Sequence, residues 1–214
     1  KYGYHLVKIM NSAAGKKIIL FDFDGVILDS FEGAFGVNKI FEPALTEEWM
    51  RRRFKGNIND SYIDEKGRPA TGEEDKEFFD IYIPAMMKFK IFPRMLNAIE
   101  KLSEKYRLII ISSTITGPIR EYMEGHNATR CFTEIMGNDV HKSKVEKIKM
   151  VFDKYGVSAD DCLFITDTLG DLLEAEKDRR GRNRGFLGFS RLGNSTKRKS
   201  GGARKYAGGI TCGD

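Results

Sequence analysis

No stretch of the sequence approaches the ~20 consecutive apolar residues that a membrane-spanning helix needs. The segment from Lys1 to Ala14 also lacks the continuous apolar run of a secretory signal. Together these absences predict a soluble, cytoplasmic protein. Cysteine is scarce: Cys131, Cys162 and Cys212 are odd in number and far apart, with neither the paired spacing of a metal site nor a disulfide framework. They read as small buried or incidental thiols. No internal repeat is evident.

What is present suits one α/β domain with a modest insertion: 214 residues, 41% of them hydrophobic, can bury a sizeable core. The formal net charge of +5 is unevenly spread. Residues 177–214 hold 11 Lys and Arg against 2 Asp and Glu, leaving 25 against 29 for residues 1–176. The body is therefore mildly acidic, and a nucleic-acid partner is expected only through the basic tail. Met10 precedes a polar lead into the first strong apolar run, so residues 1–9 read as a leader fragment or an upstream extension.

Four short apolar runs predict strands buried on both faces. They are Lys17 to Phe23, Arg107 to Ile111, Cys131 to Met136 and Cys162 to Thr166. Between them lie helical patterns with recognisable starts, Pro93 before Met95, Leu96, Ile99 and Leu102, and Ser143 before Val145, Ile148, Val151 and Phe152. Strand alternating with helix predicts a doubly wound parallel sheet, a Rossmann-like α/β core whose ligands sit at the carboxyl ends of the strands. The stretch from about Phe31 to Phe92 interrupts the alternation. It carries amphipathic helix patterns at Phe35 to Phe41, Glu47 to Phe54 and Glu73 to Phe89, a Gly/Pro-containing loop from Gly56 to Gly72, and no convincing strand. The expected division is a discontinuous core of 16–29 and 93–190, a small α-helical cap insertion at 30–92, and a tail at 191–214.

Asp22 and Asp24 stand two apart at the end of the first run, so a strand's period of two sends both carboxylates to one side and Phe21 and Phe23 to the other. Gly25 then permits a tight departure. Paired carboxylates suit a reaction in which one attacks and the other moves a proton. They also suit an ordinary Asp-Gly turn with Asp22 solvated beside it. Three further strand ends add polar groups. Ser112, Ser113 and Thr114 offer hydroxyls and amides for a phosphate oxygen; Lys144 offers an ammonium at a helix start; Asp167 and Asp171 offer hard oxygen ligands for magnesium. Each also has a plain structural reading: Ser112 as a helix cap, Lys144 on a solvated face, Asp171 as a cap.

In order, Phe-Asp-Phe-Asp-Gly-Val-Ile-Leu-Asp-Ser, Ile-Ile-Ile-Ser-Ser, Ser-Lys and Phe-Ile-Thr-Asp-Thr-Leu-Gly-Asp resemble the four motifs of the haloacid dehalogenase superfamily. The likeness covers roughly Lys16 to Glu176 and is greatest to the phosphoglycolate phosphatase-like branch, whose cap lies between the first and second motifs. The resemblance implies a Mg²⁺-dependent phosphatase acting on a small phosphorylated metabolite. Asp22 would be the nucleophile and Asp24 the acid and base. Ser112, Ser113 and Lys144 would hold the phosphoryl group, with Lys142 as an alternative to Lys144. Asp22, the Asp24 carbonyl, Asp167 and Asp171 would hold the metal. The presence of Asp24 points to phosphoester chemistry rather than dehalogenation. The cap would supply selectivity, with Arg51, Arg52, Arg53, Lys55 and Asn57 as candidates for contacting an anionic substrate. A phosphosugar mutase using the same Asp22 chemistry, and a non-catalytic module binding RNA through its tail, are the competing functions.

After the fourth motif the resemblance calls for further strands, and the sequence departs from it. Asp178 to Asp214 is rich in Gly, Arg, Lys and Ser, and only Gly185 to Phe189 could form a short strand. The tail reads as the product of a frame shift near Glu176 or Lys177, or as a disordered polyanion-binding arm.

Overall fold

The computed structural model describes residues 13–53 and 72–167. Within them the chain forms, in order, β1 (Ile18–Phe21), β2 (Leu28–Asp29), α1 (Phe31–Phe41), α2 (Glu47–Arg53), α3 (Gly72–Met86), β3 (Lys90–Ile91), α4 (Met95–Ser103), β4 (Arg107–Ile111), α5 (Thr116–Gly125), β5 (Phe132–Met136), α6 (Lys144–Tyr155) and β6 (Cys162–Ile165). The expected strand at Gly185 to Phe189 and the basic tail lie outside the described residues, as do residues 1–9, Lys55, Asn57 and Asp171.

Four of the strands form one parallel sheet in the order β5-β4-β1-β6. The chain runs outward from β1 through β4 to β5, then returns to the far side of β1 as β6. That reversal places the crevice of a doubly wound sheet beside the carboxyl end of β1. The register levels the neighbouring ends, with Phe21 opposite both Ile110 and Ile165.

The apolar runs are continuous because each strand is covered on both faces. Ile19, Phe21, Leu108, Ile110, Leu163 and Ile165 pack on one side with Ile99 and Leu102 of α4 and Ile119, Tyr122 and Met123 of α5. Ile18, Leu20, Ile109, Ile111, Cys162 and Phe164 pack on the other with Ile148 and Val151 of α6. Helix α6 starts where its sequence indicates: the Ser143 hydroxyl accepts from the Glu146 amide at 3.3 Å, and Gly156 ends the helix in the left-handed region at φ 60°.

Helices α1, α2 and α3 occupy the three expected helical patterns, although α3 ends at Met86 rather than near Phe89. The expectation of no strand between Phe31 and Phe92 is corrected. Lys90–Ile91 pairs antiparallel with Leu28–Asp29, so the chain leaves for α1 and returns from α3 through adjacent backbones. Such short strands bury one residue or none per face and leave no periodic signal. Helix α4 begins at Met95, after Arg94 in the left-handed conformation at φ 67°, so Pro93 stands before the helix rather than at its first position.

Cys131 and Cys162 are free thiols. Burial, with the Asp161 charge adding to it, pushes the Cys162 thiol up to about 12. Iodoacetamide is therefore expected to label Cys131 in the native protein and Cys162 only after denaturation. Peptide mapping by mass spectrometry checks this, and equal labelling of both in the native state would contradict the packing described.

Candidate active site

The level strand ends set Asp22 and Phe23 after β1, Ser112 after β4 and Thr166 after β6 side by side. The Asp22 amide still donates to the Ile165 carbonyl at 2.9 Å and the Ser112 amide to the Met136 carbonyl at 3.0 Å, so each loop leaves the sheet from a fixed point. Phe21 and Phe23 both enter the core beneath.

Asp22 is buried, and its partners account for the cost of burying a carboxylate. Oδ1 accepts from the Phe23 amide at 2.8 Å. Oδ2 lies 2.7 Å from Lys144 Nζ, itself buried, and 3.4 Å from the Thr166 hydroxyl. Lys144, rather than the exposed Lys142, thus reaches the carboxylate. It can do so because it stands on the inner stripe of α6, where the buried residues are Lys144, Lys147, Ile148 and Val151. The alternative of a solvated Lys144 is excluded.

Asp24 is held differently, by hydroxyls. Thr114 Oγ1 donates to Oδ2 at 2.8 Å, and the Tyr82 hydroxyl donates to Oδ1. The neighbouring Gly25 turns the chain at φ +73°, and its amide donates to Ser30 Oγ at 3.2 Å. Gly25 also creates room: a Cβ built there would lie 2.0 Å from Asp167 Oδ2. The Asp167 carboxylate therefore sits directly against the loop carrying Asp22 and Asp24. Among the described residues no group of three or more His, Cys, Asp or Glu side chains gathers as a metal cluster. What the loops offer is sparser, separate carboxylates with main-chain oxygens around them, and this suits magnesium, which keeps several waters and takes few protein ligands.

The Ser112–Thr114 loop is fastened from three sides. Ser112 Oγ accepts from the Thr114 amide at 3.0 Å, and the Thr114 carbonyl accepts from the Asn138 amide at 3.0 Å. Lys147 Nζ, with no exposed surface, donates to the carbonyls of Ser112 at 2.5 Å and Gly137 at 3.1 Å. Ser112 is fully buried, whereas Ser113 is exposed, and the hydroxyl of this loop that reaches Asp24 is that of Thr114.

A haloacid dehalogenase-like hydrolase model matches residues 19–179. The chain belongs to this family. A phosphoglycolate phosphatase of Aliivibrio fischeri is 23% identical over 183 residues, covering 75% of this chain and 79% of the relative. Another, from Vibrio parahaemolyticus, is 24% identical over 184 residues with the same coverage. A solved haloacid dehalogenase-like hydrolase from Streptococcus pneumoniae matches with a TM-score of 0.57 at 21% identity, over 77% of this chain and 81% of its own, a likeness of fold.

In this haloacid dehalogenase-like hydrolase, sequence reasoning passed over Tyr82, Lys147 and Thr166. Tyr82 and Lys147 left a trace. Tyr82 follows Phe78 by one helical turn in an otherwise apolar stripe, and Lys147 sits in phase with Ile148 and Val151; a polar end on a buried stripe must find a partner. Among the cap candidates, Arg51 pairs with Glu47 at 2.5 Å and lies 3.8 Å above the Phe31 ring. The side chains of Arg52 and Arg53 lie outside the described residues.

Lys147→Met keeps the length of the side chain and removes its ammonium, leaving two main-chain carbonyls without that donor. It is expected to cost on the order of 2–3 kcal/mol, read as a lower urea midpoint with an unchanged m-value.

Proposed function

We propose that this hydrolase is a magnesium-dependent phosphatase that cleaves small phosphorylated metabolites through an aspartyl-phosphate on Asp22. The observation that carries the reading is the buried Asp22 carboxylate held 2.7 Å from the buried Lys144 ammonium at the open edge of the sheet. A carboxylate so placed keeps its charge in a dry setting, and the adjacent cation offsets the repulsion of an incoming phosphate. Asp22 forms a bond to phosphorus while the bond to the leaving oxygen breaks, its electron pair departing with that oxygen. Asp24 delivers a proton to the leaving oxygen. In the second step Asp24 takes a proton from the attacking water, inorganic phosphate leaves, and Asp22 is restored.

Lys144 and Ser112 are assigned to the phosphoryl oxygens, with the main chain of Ser113 and Thr114 beside them. Asp22, the Asp24 carbonyl and Asp167 would hold magnesium, with Asp171 as a direct or water-mediated ligand. Bound there, the ion supplies the positive charge that lets a phosphate dianion approach several carboxylates. Residues 30–92 are assigned to a cap over the site, with Arg53, Lys55 and Asn57 as its candidate substrate contacts. Arg51, engaged by Glu47 and Phe31, is assigned to the surface of the cap. The phosphoglycolate phosphatases among the relatives support an anionic phosphomonoester such as 2-phosphoglycolate as an early substrate to assay.

Phosphate release from 4-nitrophenyl phosphate tests the reading. Activity is expected with Mg²⁺, to vanish with EDTA, and to fall on the order of 10³-fold or more in Asp22→Asn. Full activity in the substituted protein would refute it.

A further inference from the structure

The loop that follows β4 is gripped by the loop that follows β5. Their backbones meet at Gly137, where an added Cβ would lie 2.4 Å from the Thr116 nitrogen and 2.5 Å from the Thr114 carbonyl oxygen. Thr116 opens α5, and Ile115 before it supplies no side-chain cap. The first amide of the helix, which has no partner within the helix, finds one in the other loop. Asp139 Oδ1 accepts from the Thr116 amide at 2.8 Å and from the Thr116 hydroxyl at 2.7 Å. That hydroxyl also accepts from the Gly137 amide at 2.9 Å, and its single proton goes to Asp139. One carboxylate oxygen therefore closes a ring of bonds that runs from the β5 loop to the first turn of α5 and back.

Thr114 stands between this clasp and the carboxylates. Its carbonyl accepts from the Asn138 amide at 3.0 Å, on the side of the clasp. Its hydroxyl donates to Asp24 Oδ2 at 2.8 Å, and its amide to Ser112 Oγ at 3.0 Å. A shift of the clasp thus moves the whole Ser112–Thr114 segment, the one assigned to the phosphoryl oxygens. Lys147 fixes that segment at its β4 end, through the Ser112 and Gly137 carbonyls, and the α5 end is left to Asp139. We propose that Asp139 is a positioning residue for phosphate binding: through Thr116 it holds the Ser112–Thr114 loop in the setting that receives the phosphoryl group. The proposal rests on the phosphatase reading of the site. Asp139 is exposed, so its side chain can be changed without opening a cavity in the core.

The probe is inorganic phosphate, measured as a competitive inhibitor of 4-nitrophenyl phosphate hydrolysis by the full chain with Mg²⁺. Asp139→Ala removes the acceptor and is expected to raise the inhibition constant of phosphate about tenfold. Asp139→Asn keeps an oxygen in the same place and is expected to stay within about twofold of the parent. Thr116→Val keeps the shape of the side chain, removes its hydroxyl, and is expected to raise the constant about threefold. Thermal unfolding followed by circular dichroism identifies the variants that are folded at the assay temperature. A merely structural role would lower the unfolding temperature and leave the phosphate constant of the folded enzyme where it was. An unchanged constant in whichever of Asp139→Ala and Thr116→Val is folded overturns the inference, and so does a rise in Asp139→Asn as large as in Asp139→Ala. If the parent chain releases no phosphate, or if Asp22→Asn is as active as the parent, the phosphatase reading itself fails and the inference falls with it.

Discussion

Burying an ammonium together with a carboxylate is the constraint around which the carboxyl edge of the sheet is arranged. Lys144 and Asp22 are both almost wholly removed from solvent, and each would be strongly destabilising there without the other. Among the described residues the buried polar side chains Ser112, Thr114 and Thr166 gather with this pair where the strands stop. Both faces of β1, β4 and β6 are packed with aliphatic and aromatic side chains, so charge is admitted only where the strands stop. The lysine comes from the inner stripe of α6, the helix that covers one of those faces. Lys147, one turn further along the same stripe, uses its ammonium on main-chain carbonyls instead. It closes the ends of β4 and β5 against one another.

Two carboxylates only two residues apart thereby enter unlike surroundings. Asp22 faces a cation, a main-chain amide and a distant threonine hydroxyl. Asp24 faces two hydroxyls that donate without carrying charge. One carboxylate is thus held chiefly by an opposite charge and the other by neutral donors alone. The Tyr82 hydroxyl also ties the second carboxylate to α3, a helix outside the strand-helix alternation.

Much of this was legible in the residues. Leu108-Ile109-Ile110-Ile111 announced β4 because a strand covered on both faces needs no polar alternation, and Ser143 announced α6 because its hydroxyl caps it. The start of α5 was not legible in the same way. Ile115 offers no side-chain cap, and the first amide of the helix is bound instead by Asp139, whose Oδ1 accepts from the Thr116 amide at 2.8 Å. Tertiary structure supplies what local sequence usually does. The β2–β3 pair escaped because strands of two residues have no period. At the site, Asp22, Asp24, Ser112 and Asp167 could be named as candidates from strand ends and Lys144 from a helix start, and the phase of two that buries Ser112 and Thr114 explains why Ser113 turns outward. Tyr82 could be suspected of needing a partner, but no rule of spacing joins position 82 to position 24.

Gly25 shows how narrowly such a site is held. Its φ lies in the left-handed region, and the space that any side chain would begin to fill is taken by the Asp167 carboxylate. Every other amino acid carries a Cβ, so no amino-acid replacement at this position is neutral, however small or polar. In an evolving lineage position 25 would act as a fixed point. The residues around it can drift only along paths that leave to Asp167 the volume a methyl group would need.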